Sequence, residues 1–207
     1  ADGSPLGVAF DGDADRALLV DETGRLQDGD TRLYVWARGL LDSGQLEPAA
    51  VVATTMSNLG LELALRELGI ETIRCDVGDR VVVEAMRRHD VVLGGEQSGH
   101  LIHLGLGSTG DVLLTALHLA HLMVTSGRTL SELASPIRRL PQVLVNVRVA
   151  RKVDFAELPG VTAHAREIET RLGETGRLLL RYSGTEPLAR VMIEGQDQTE
   201  IEQLAHR

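Results

Sequence analysis

Three aspartates stand at alternate positions directly after a short apolar run: Asp11, Asp13 and Asp15 follow residues 6–10. Because such a run predicts a strand, we expect these carboxylates in a loop at a strand end. In an extended turn they can converge on one hard cation, and Gly12 relieves the backbone crowding that this requires. Mg²⁺ takes few protein oxygens and completes its shell with water or phosphate. The segment therefore predicts a magnesium site whose remaining ligand is a phosphate.

Other interpretations fit the acidic segment taken alone. Its spacing resembles a calcium EF-hand loop with Glu22 at the twelfth position, but Arg16 stands where the sixth position needs glycine, and residues 17–20 read as a second strand. An aspartyl-phosphatase loop, in which an Asp-x-Asp supplies nucleophile and acid, is a further alternative. A solvated acidic turn is the simplest one.

A second loop, residues 94–100, reads Gly-Gly-Glu-Gln-Ser-Gly-His and follows a predicted strand. Its glycines allow the backbone close to a ligand, while Glu96 and Ser98 can bind vicinal sugar hydroxyls. The alternative is a glycine-rich turn whose glutamate caps another element. His100 and His103 bracket an apolar pair, which favours packing or hydrogen bonding over metal binding for both.

A third loop, residues 181–187, reads Arg-Tyr-Ser-Gly-Thr-Glu-Pro. An arginine fork, hydroxyl groups and a glycine N–H together can form a phosphate cradle. A hairpin turn with an incidental arginine is the alternative. The residues that could bind phosphate here are Arg181, Ser183, Gly184, Thr185 and Arg190.

The composition limits the class of partner. Thirty acidic against 21 basic side chains give a net charge of −9, which disfavours nucleic acid. The single cysteine, Cys75, excludes an internal disulfide and fits a reducing cytoplasm. The sequence shows neither a signal peptide nor an apolar run long enough to cross a membrane. We therefore expect a soluble, cytoplasmic protein without nucleic-acid or membrane partners.

The periodicity of apolar residues predicts strands that alternate with helices, which is typical of a parallel α/β sheet. We expect the loop after residue 93 at the carboxyl end of a strand, where such folds bind ligands. The predicted strands are 6–10, 17–21, 50–54, 70–75 and 90–93; the predicted helices are 30–42 with Asp30 as N-cap, one capped by residues 57–58 and ended by Gly69, 79–89, 112–126 and 129–134.

The pattern changes after a basic connector, residues 137–140, that lies between Pro136 and Pro141. We place a domain boundary there. The remainder reads as a small α+β unit with strands at 143–149, 177–182 and 190–194 and helices at 163–172 and 199–207.

Five motifs together resemble the α-D-phosphohexomutases, in which they occur in the same order. The resemblance covers nearly the whole chain, and residues 54–60, 95–100 and 142–147 are most similar to the bacterial members that act on glucosamine phosphate. The chain departs from the family pattern at Ala14, Val81, Val112 and Tyr182, none of which removes a charged or hydroxyl group that the chemistry needs. The five motifs are residues 11–16, 77–80, 95–100, 109–111 and 181–187.

The resemblance implies an α/β fold in three parts. Residues 1–28 are expected to be the C-terminal end of the family's second domain, with the metal loop. Residues 29–139 are expected to be the third, sugar-binding domain with a parallel sheet, and residues 140–207 the fourth, phosphate-binding α+β domain.

The family resemblance also implies an activity: an intramolecular phosphotransferase of the isomerase class that interconverts glucosamine 6-phosphate and glucosamine 1-phosphate for cell-wall amino-sugar synthesis. A phosphoserine in an upstream loop, which this chain lacks, gives its phosphoryl group to the sugar and forms a bisphosphorylated intermediate. The family roles fall on Asp11, Asp13 and Asp15 for Mg²⁺; on Arg16 and Arg80 for catalysis; on Glu96, Ser98 and His100 for the sugar; and on Arg181, Ser183, Gly184, Thr185 and Arg190 for phosphate.

Expectations for the chain itself follow from the same resemblance. The substrate is expected to be a hexosamine phosphate, and the full-length enzyme could be a homodimer. Expressed alone, the chain should bind sugar phosphate weakly at best and show no turnover, and residues 1–28 should be its least protected segment. The alternatives are a phosphoglucomutase or phosphomannomutase, a non-catalytic sugar-phosphate-binding fragment and, less well supported, a hydrolase of the aspartyl-phosphate type.

Overall fold

The acidic loop joins two antiparallel strands in the computed structural model, which describes residues 3–12, 16–107 and 109–206. Strand β1 spans Leu6–Phe10 and β2 spans Ala17–Asp21, as the sequence predicted; a short β3, Leu26–Gln27, was not predicted. Strand β2 alternates buried and less buried residues, so one face packs inward. Val8, Phe10 and Leu18 are exposed, whereas Val20 is partly buried.

The first of two compact units, Ala1–Arg138, is built around a sheet whose strand order is β5-β4-β6-β7. Strands β5, β4 and β6 run parallel, and β7 is an antiparallel edge strand. This confirms the predicted α/β fold class. The strands are β4 (Ala50–Thr54), β5 (Glu71–Cys75), β6 (Leu93–Gly95) and β7 (Leu101–His103); the helices are α1 (Gly29–Asp42), α2 (Leu59–Glu67), α3 (Asp79–His89), α4 (Val112–Ser126) and α5 (Leu130–Ala134).

The core lies on both faces of β4, every residue of which is buried. Alternate residues point to opposite faces, so Val51 and Ala53 pack with α1, α2 and α4, while Ala50 and Val52 pack with α3. A parallel strand covered on both faces reads as a continuous apolar run, which is why this strand was predicted with the correct ends.

The predicted N-cap of α1 is wrong. Asp28, not Asp30, caps the helix, and its side chain accepts a hydrogen bond from Thr31 N at 3.0 Å. Asp30 lies inside the first turn and is buried. Two aspartates separated by one residue both fit the capping preference, and only the backbone shows which side chain reaches the third helical N–H.

The predicted strand at 90–93 is displaced, because β6 contains the glycines that the sequence suggested were in a loop. A Cβ on Gly94 would lie 2.8 Å from the Met86 sulfur and 3.1 Å from Val52 Cβ. No side chain fits between β4 and α3 at this point. A strand made of glycines carries no apolar periodicity, and strand β7, which pairs with it, was also missed.

The second unit, Arg139–Arg207, is an antiparallel sheet with strand order β8-β10-β9. Two helices cover one face, with Ile168, Ile193 and Ile201 at the centre of the core. Helix α6 begins at Pro159 rather than at the predicted 163, because proline is well tolerated in the first turn. The elements are β8 (Gln142–Arg148), α6 (Pro159–Leu172), β9 (Arg177–Tyr182), β10 (Leu188–Glu194) and α7 (Gln198–Ala205).

Within the described residues, the helices are all too short or too polar to cross a membrane. The division between Arg138 and Arg139 lies beside the predicted boundary. The assignment of residues 1–28 to a separate domain stays a prediction.

The start of α1 packs directly against the glycine-rich loop that follows β6. Gly29 N donates to Gln97 O at 2.9 Å. A Cβ on Gly29 would lie 2.7 Å from that carbonyl oxygen and closer still to the carbonyl oxygen of Glu96. Glycine at this position therefore sets how closely the helix and the loop approach.

Gly29→Ala should destabilise the first unit by about 1–3 kcal/mol, because backbone rather than a flexible side chain must move. The single tryptophan, Trp36, lies buried on the same helix, so its fluorescence during urea unfolding reports this unit. Gly7→Ala is the control: its Cβ would make only ordinary contact, 3.5 Å from Val20 Cβ, and should change stability by less than about 0.5 kcal/mol. Equal stability of the two variants would contradict the packing argument.

Candidate active site

The glycine-rich loop is the turn of the β6–β7 hairpin. Glu96 N donates to His100 O at 2.9 Å, and Gly99 N donates to Glu96 O at 2.9 Å. Gly99 has a φ of 106°, a conformation that side chains with a Cβ rarely adopt. The turn thus holds Glu96 and Ser98 on a short, rigid connection at the end of the sheet.

The Glu96 carboxylate is fixed at the start of α3. Its Oε1 accepts from Gly78 N at 2.9 Å, and its Oε2 accepts from Ser98 Oγ at 3.3 Å. Gly78 supplies no side-chain cap to α3, so the carboxylate takes that place, where the helix dipole favours negative charge. The contact brings together two motifs, residues 77–80 and 95–100, and leaves Ser98 exposed.

His100 connects a third motif to the same loop. His100 is only 5% exposed, and its Nε2 accepts from Gly110 N at 3.2 Å and lies 3.6 Å from Asp79 Oδ2. These contacts position the loop; direct contact of His100 with a sugar stays a prediction. A cavity of about 440 Å³ lies beside it, lined by Asp79, Arg80, Val83, Glu84, Arg87, His100, Ile102 and Thr109.

Arg80 lies on the surface at this cavity. Its side chain is 91% exposed, and its Nε pairs with Glu84 Oε1 at 2.7 Å. That hydrogen bond and the charge of Glu84 raise the pKa of Arg80. A catalytic role for Arg80 stays a prediction, and binding a phosphate would require the guanidinium to exchange Glu84 for the ligand.

The ends of the acidic loop are closed by Asp11 and Arg16. Arg16 Nε donates to Asp11 Oδ2 at 2.8 Å, and the backbone N of Arg16 donates to Asp11 Oδ1 at 3.2 Å. Asp13 and Asp15 lie outside the described residues. In the part of the chain that is described, no three His, Cys, Asp or Glu side chains are grouped to hold a metal. Asp11 offers hard oxygen donors in an orientation set by Arg16, which fits Mg²⁺ chemically.

Arg32 is a positioning residue that the sequence did not indicate. It is 1% exposed, its Nη1 donates to Ala17 O, and its Nε donates to Asp28 O at 3.1 Å. The guanidinium also fills the space where a Cβ on Gly99 would stand. Burial lowers the pKa of Arg32 to about 10, so it remains charged at neutral pH. One buried cation thus contacts the strand after the acidic loop and the loop that carries Glu96.

A buried carboxylate supports the neighbouring segment 54–58, which follows β4. Asp30 is 3% exposed, and its Oδ2 accepts from Asn58 N at 2.8 Å. Arg74 Nη1 donates to the carbonyl oxygens of Thr54 and Ser57 at 3.2 and 3.0 Å. Burial raises the pKa of Asp30 to about 6.

In the second unit, the predicted phosphate loop is the turn between β9 and β10. Ser183 is buried, and its N donates to Leu188 O at 2.9 Å. Its Oγ accepts from Glu186 N at 3.3 Å and from Arg190 Nη2 at 3.4 Å, while Gly184 and Thr185 are exposed. Ser183 therefore shapes the turn, and its exposed neighbours are the groups a ligand can reach.

Two arginines face each other beside this turn. Arg181 on β9 is opposite Arg190 on β10. On the same face of β9, Arg177 is neutralised by buried Glu194 at 2.9 Å, whereas the Arg181 side chain has no hydrogen bond or ion pair among the described residues. Arg190 Nε is likewise buried without an acceptor there. Adjacent cations with unused donors favour an anion at this turn.

Comparison with known proteins identifies the family. A family model described as phosphoglucomutase/phosphomannomutase, alpha/beta/alpha domain III, matches residues 28–140, and the C-terminal domain of the same family matches residues 144–207. The chain belongs to the phosphohexomutase family. The resemblance noted from the five motifs is thereby confirmed.

Two curated relatives of this phosphohexomutase chain are both named phosphoglucosamine mutase. Phosphoglucosamine mutase of Mycobacterium ulcerans (strain Agy99) is 52% identical over 207 residues, covering 100% of this chain and 46% of its own length. Phosphoglucosamine mutase of Syntrophotalea carbinolica is 49% identical over 203 residues, covering 98% of this chain and 44% of its own. The chain thus spans about half the length of the curated relatives it matches.

A solved structure shows the same fold. The crystal structure of Aspergillus fumigatus N-acetylphosphoglucosamine mutase in complex with GlcNAc-6P and magnesium is 24% identical. It matches with a TM-score of 0.77, covering 100% of this chain and 52% of that chain.

The pH dependence of stability tests the burial of Asp30. Its folded pKa, about 6, lies above the unfolded value of about 3.8, so the folded state binds the proton more tightly. Asp30 therefore contributes most to the free energy of unfolding at low pH. This contribution falls as the pH rises from about 4 to 6 and is constant above pH 6. Between these two limits it changes by about 3 kcal/mol, as a pKa shift of this size implies.

Asp30→Asn should remove that pH-dependent contribution, because the amide oxygen still accepts from Asn58 N but does not titrate. Urea unfolding followed by Trp36 fluorescence at several pH values between 4 and 7 measures the difference from wild type. Asp42→Asn, an exposed change of the same kind on α1, is the control variant. A stability difference between wild type and Asp30→Asn that does not vary with pH would refute the assignment.

Proposed function

We propose that this chain is the sugar- and phosphate-binding part of a mutase that interconverts glucosamine 6-phosphate and glucosamine 1-phosphate. The observation that carries the proposal is the Glu96 carboxylate, fixed by Gly78 N beside exposed Ser98. A fixed carboxylate and a hydroxyl can bind two neighbouring sugar hydroxyls. The names of the curated relatives, about 50% identical over the whole chain, supply the choice of sugar.

The proposed reaction moves one phosphoryl group at a time. A phosphoserine in the upstream part of the longer protein transfers its phosphoryl group to the free sugar hydroxyl. The serine O–P bond breaks as the sugar O–P bond forms, and the proton of the sugar hydroxyl passes, in net terms, to the serine oxygen. The bisphosphorylated sugar then turns and returns its other phosphoryl group to the serine. Glu96 and Ser98 hold the sugar hydroxyls in both orientations, and His100 keeps their loop in place.

The phosphate that does not react is assigned to the turn of the second unit. Arg181 and Arg190 provide charge and fork-shaped donors, and Gly184 and Thr185 provide exposed donors. Ser183 shapes the turn from inside. Energy gained at this distant phosphate can orient the reacting end of the substrate.

We further propose Mg²⁺ as cofactor, bound by Asp11, Asp13 and Asp15. The Aspergillus fumigatus relative in complex with GlcNAc-6P and magnesium supports this choice, as do the carboxylates themselves. When bound, the ion would neutralise negative charge on the transferring phosphoryl group. Arg16 orients Asp11, and we propose that it contacts the same phosphoryl group.

Further proposals concern the whole protein. We assign residues 1–28 to the end of the family's second domain, residues 29–139 to its third domain and residues 140–207 to its fourth. We also assign the full-length protein to the cytoplasm, as a homodimer. The second candidate activity is that of a phosphoglucomutase or phosphomannomutase, which the description of the matching family favours.

Glu96→Gln in the full-length protein should lower kcat/KM by about tenfold to a hundredfold in both reaction directions, since charge-assisted hydrogen bonds to the sugar are lost. The glutamine oxygen can still accept from Gly78 N, so the fold should be retained. Glu67→Gln, an exposed change on α2, is the control. Loss of activity with only one of the two substrates would contradict a shared role in both orientations.

Arg181→Ala should raise KM for the sugar phosphate more than it lowers the phosphoryl-transfer rate, because the proposed contact is to the phosphate that does not react. We expect an increase in KM of about tenfold for the loss of one charge-assisted contact. Arg166→Ala on the exposed face of α6 is the matched control. A folded Arg181→Ala variant with wild-type KM would place the phosphate site elsewhere.

A further inference from the structure

Lys152 is the single lysine of the chain, since all other basic residues among the 21 Lys and Arg are arginines. It follows β8 and lies outside the five motifs of the family. Its Nζ donates to Ser183 O at 2.5 Å, so an ammonium group lies on the phosphate loop. Lys152 is distant from residues 181–187 along the chain, so the sequence alone does not indicate this contact.

The segment around Lys152 is held against the end of β9 by one tyrosine. Tyr182 OH donates to Val153 O at 2.7 Å and accepts from Val153 N at 3.3 Å. The Tyr182 ring stacks on Phe155 with centroids 4.5 Å apart and planes 6° from parallel. Val149 N also donates to Pro187 O at 3.0 Å. Lys152 is therefore placed by its neighbours and is not a freely moving surface lysine.

The ammonium group has donors left for a ligand. It carries three N–H donors, and the Ser183 carbonyl uses one of them. A carbonyl does not neutralise the charge, and the residue is exposed. Ser183, which holds the ammonium group, comes two residues after Arg181 on β9, and Arg181 is opposite Arg190 on β10, while Glu186 accepts from Arg190 at 3.3 Å. The surplus of cations around this turn suits a doubly charged phosphate monoester.

We propose that Lys152 binds the substrate phosphate together with Arg181 and Arg190, and that Tyr182 is the residue that positions it. The inference rests on the proposed function and extends its phosphate site beyond the family motif. Tyr182 supplies the hydroxyl that holds the lysine segment. A phosphate bound at this turn would contact the compact ammonium group of Lys152 in addition to the planar guanidinium groups of Arg181 and Arg190.

The single lysine allows a direct binding experiment. In the 207-residue chain labelled with ¹³C-lysine, one Cε signal reports Lys152. Inorganic phosphate and glucosamine 6-phosphate should each shift this signal in a saturable way, and unphosphorylated glucosamine should not. A Cε signal that shifts with glucosamine and not with inorganic phosphate would overturn the proposal.

Variants separate a ligand contact from a structural role. Lys152→Met should weaken binding of glucosamine 6-phosphate about tenfold, and Lys152→Arg should restore most of it, because charge is what phosphate requires. Tyr182→Phe retains the ring and should shift the Cε signal in the absence of ligand and weaken binding. Arg166→Ala is again the control.

The outcomes distinguish this inference from the proposed function. If Arg181→Ala weakens binding while Lys152→Met does not and the Cε signal is unresponsive, the role of Lys152 is refuted and the proposed function stands. If the wild-type chain binds neither inorganic phosphate nor glucosamine 6-phosphate, both fail.

Discussion

The arrangement of the first unit depends on one buried cation, the guanidinium group of Arg32, which fixes the positions of the loops around it. Arg32 donates to the carbonyls of Ala17 and Asp28 and occupies the space left by the missing side chain of Gly99. Burying a charge is costly unless its donors are used, so the backbone groups around it cannot move independently. The strand that follows the acidic loop and the loop that carries Glu96 are thereby held in one arrangement, as the proposed phosphoryl transfer to a bound sugar would require.

Much of the fold could be predicted from the sequence, and the exceptions have physical causes. The ends of β1, β2, β4, β9 and α3 were correct because apolar runs and turn residues mark them. Strand β6 was displaced because packing against Met86 and Val52 demands glycine, which gives no strand signal. The α1 cap was misassigned because Asp28 and Asp30 fit the same preference and differ only in what each reaches across the fold.

The residues of the candidate site could be predicted from the sequence, but the contacts between them could not. The motif residues could be recognised because glycines, carboxylates, hydroxyls and arginines occur together at fixed spacings. The bond from Gly78 to Glu96 and the two cations Arg32 and Lys152 join residues that are far apart in the chain. No local sequence pattern distinguishes a cationic side chain that supports a binding site from one that lies on the surface. The assignment of Asp13 and Asp15 as magnesium ligands stays a prediction.

The most direct test of the central claim is a comparison of kcat/KM for the full-length protein with three hexose 6-phosphates. Purified protein would be given glucosamine 6-phosphate, glucose 6-phosphate and mannose 6-phosphate in turn, with Mg²⁺, and formation of each 1-phosphate followed by ³¹P NMR. We expect kcat/KM to be highest for glucosamine 6-phosphate. A higher value for glucose or mannose 6-phosphate, or no conversion of glucosamine 6-phosphate, would contradict it.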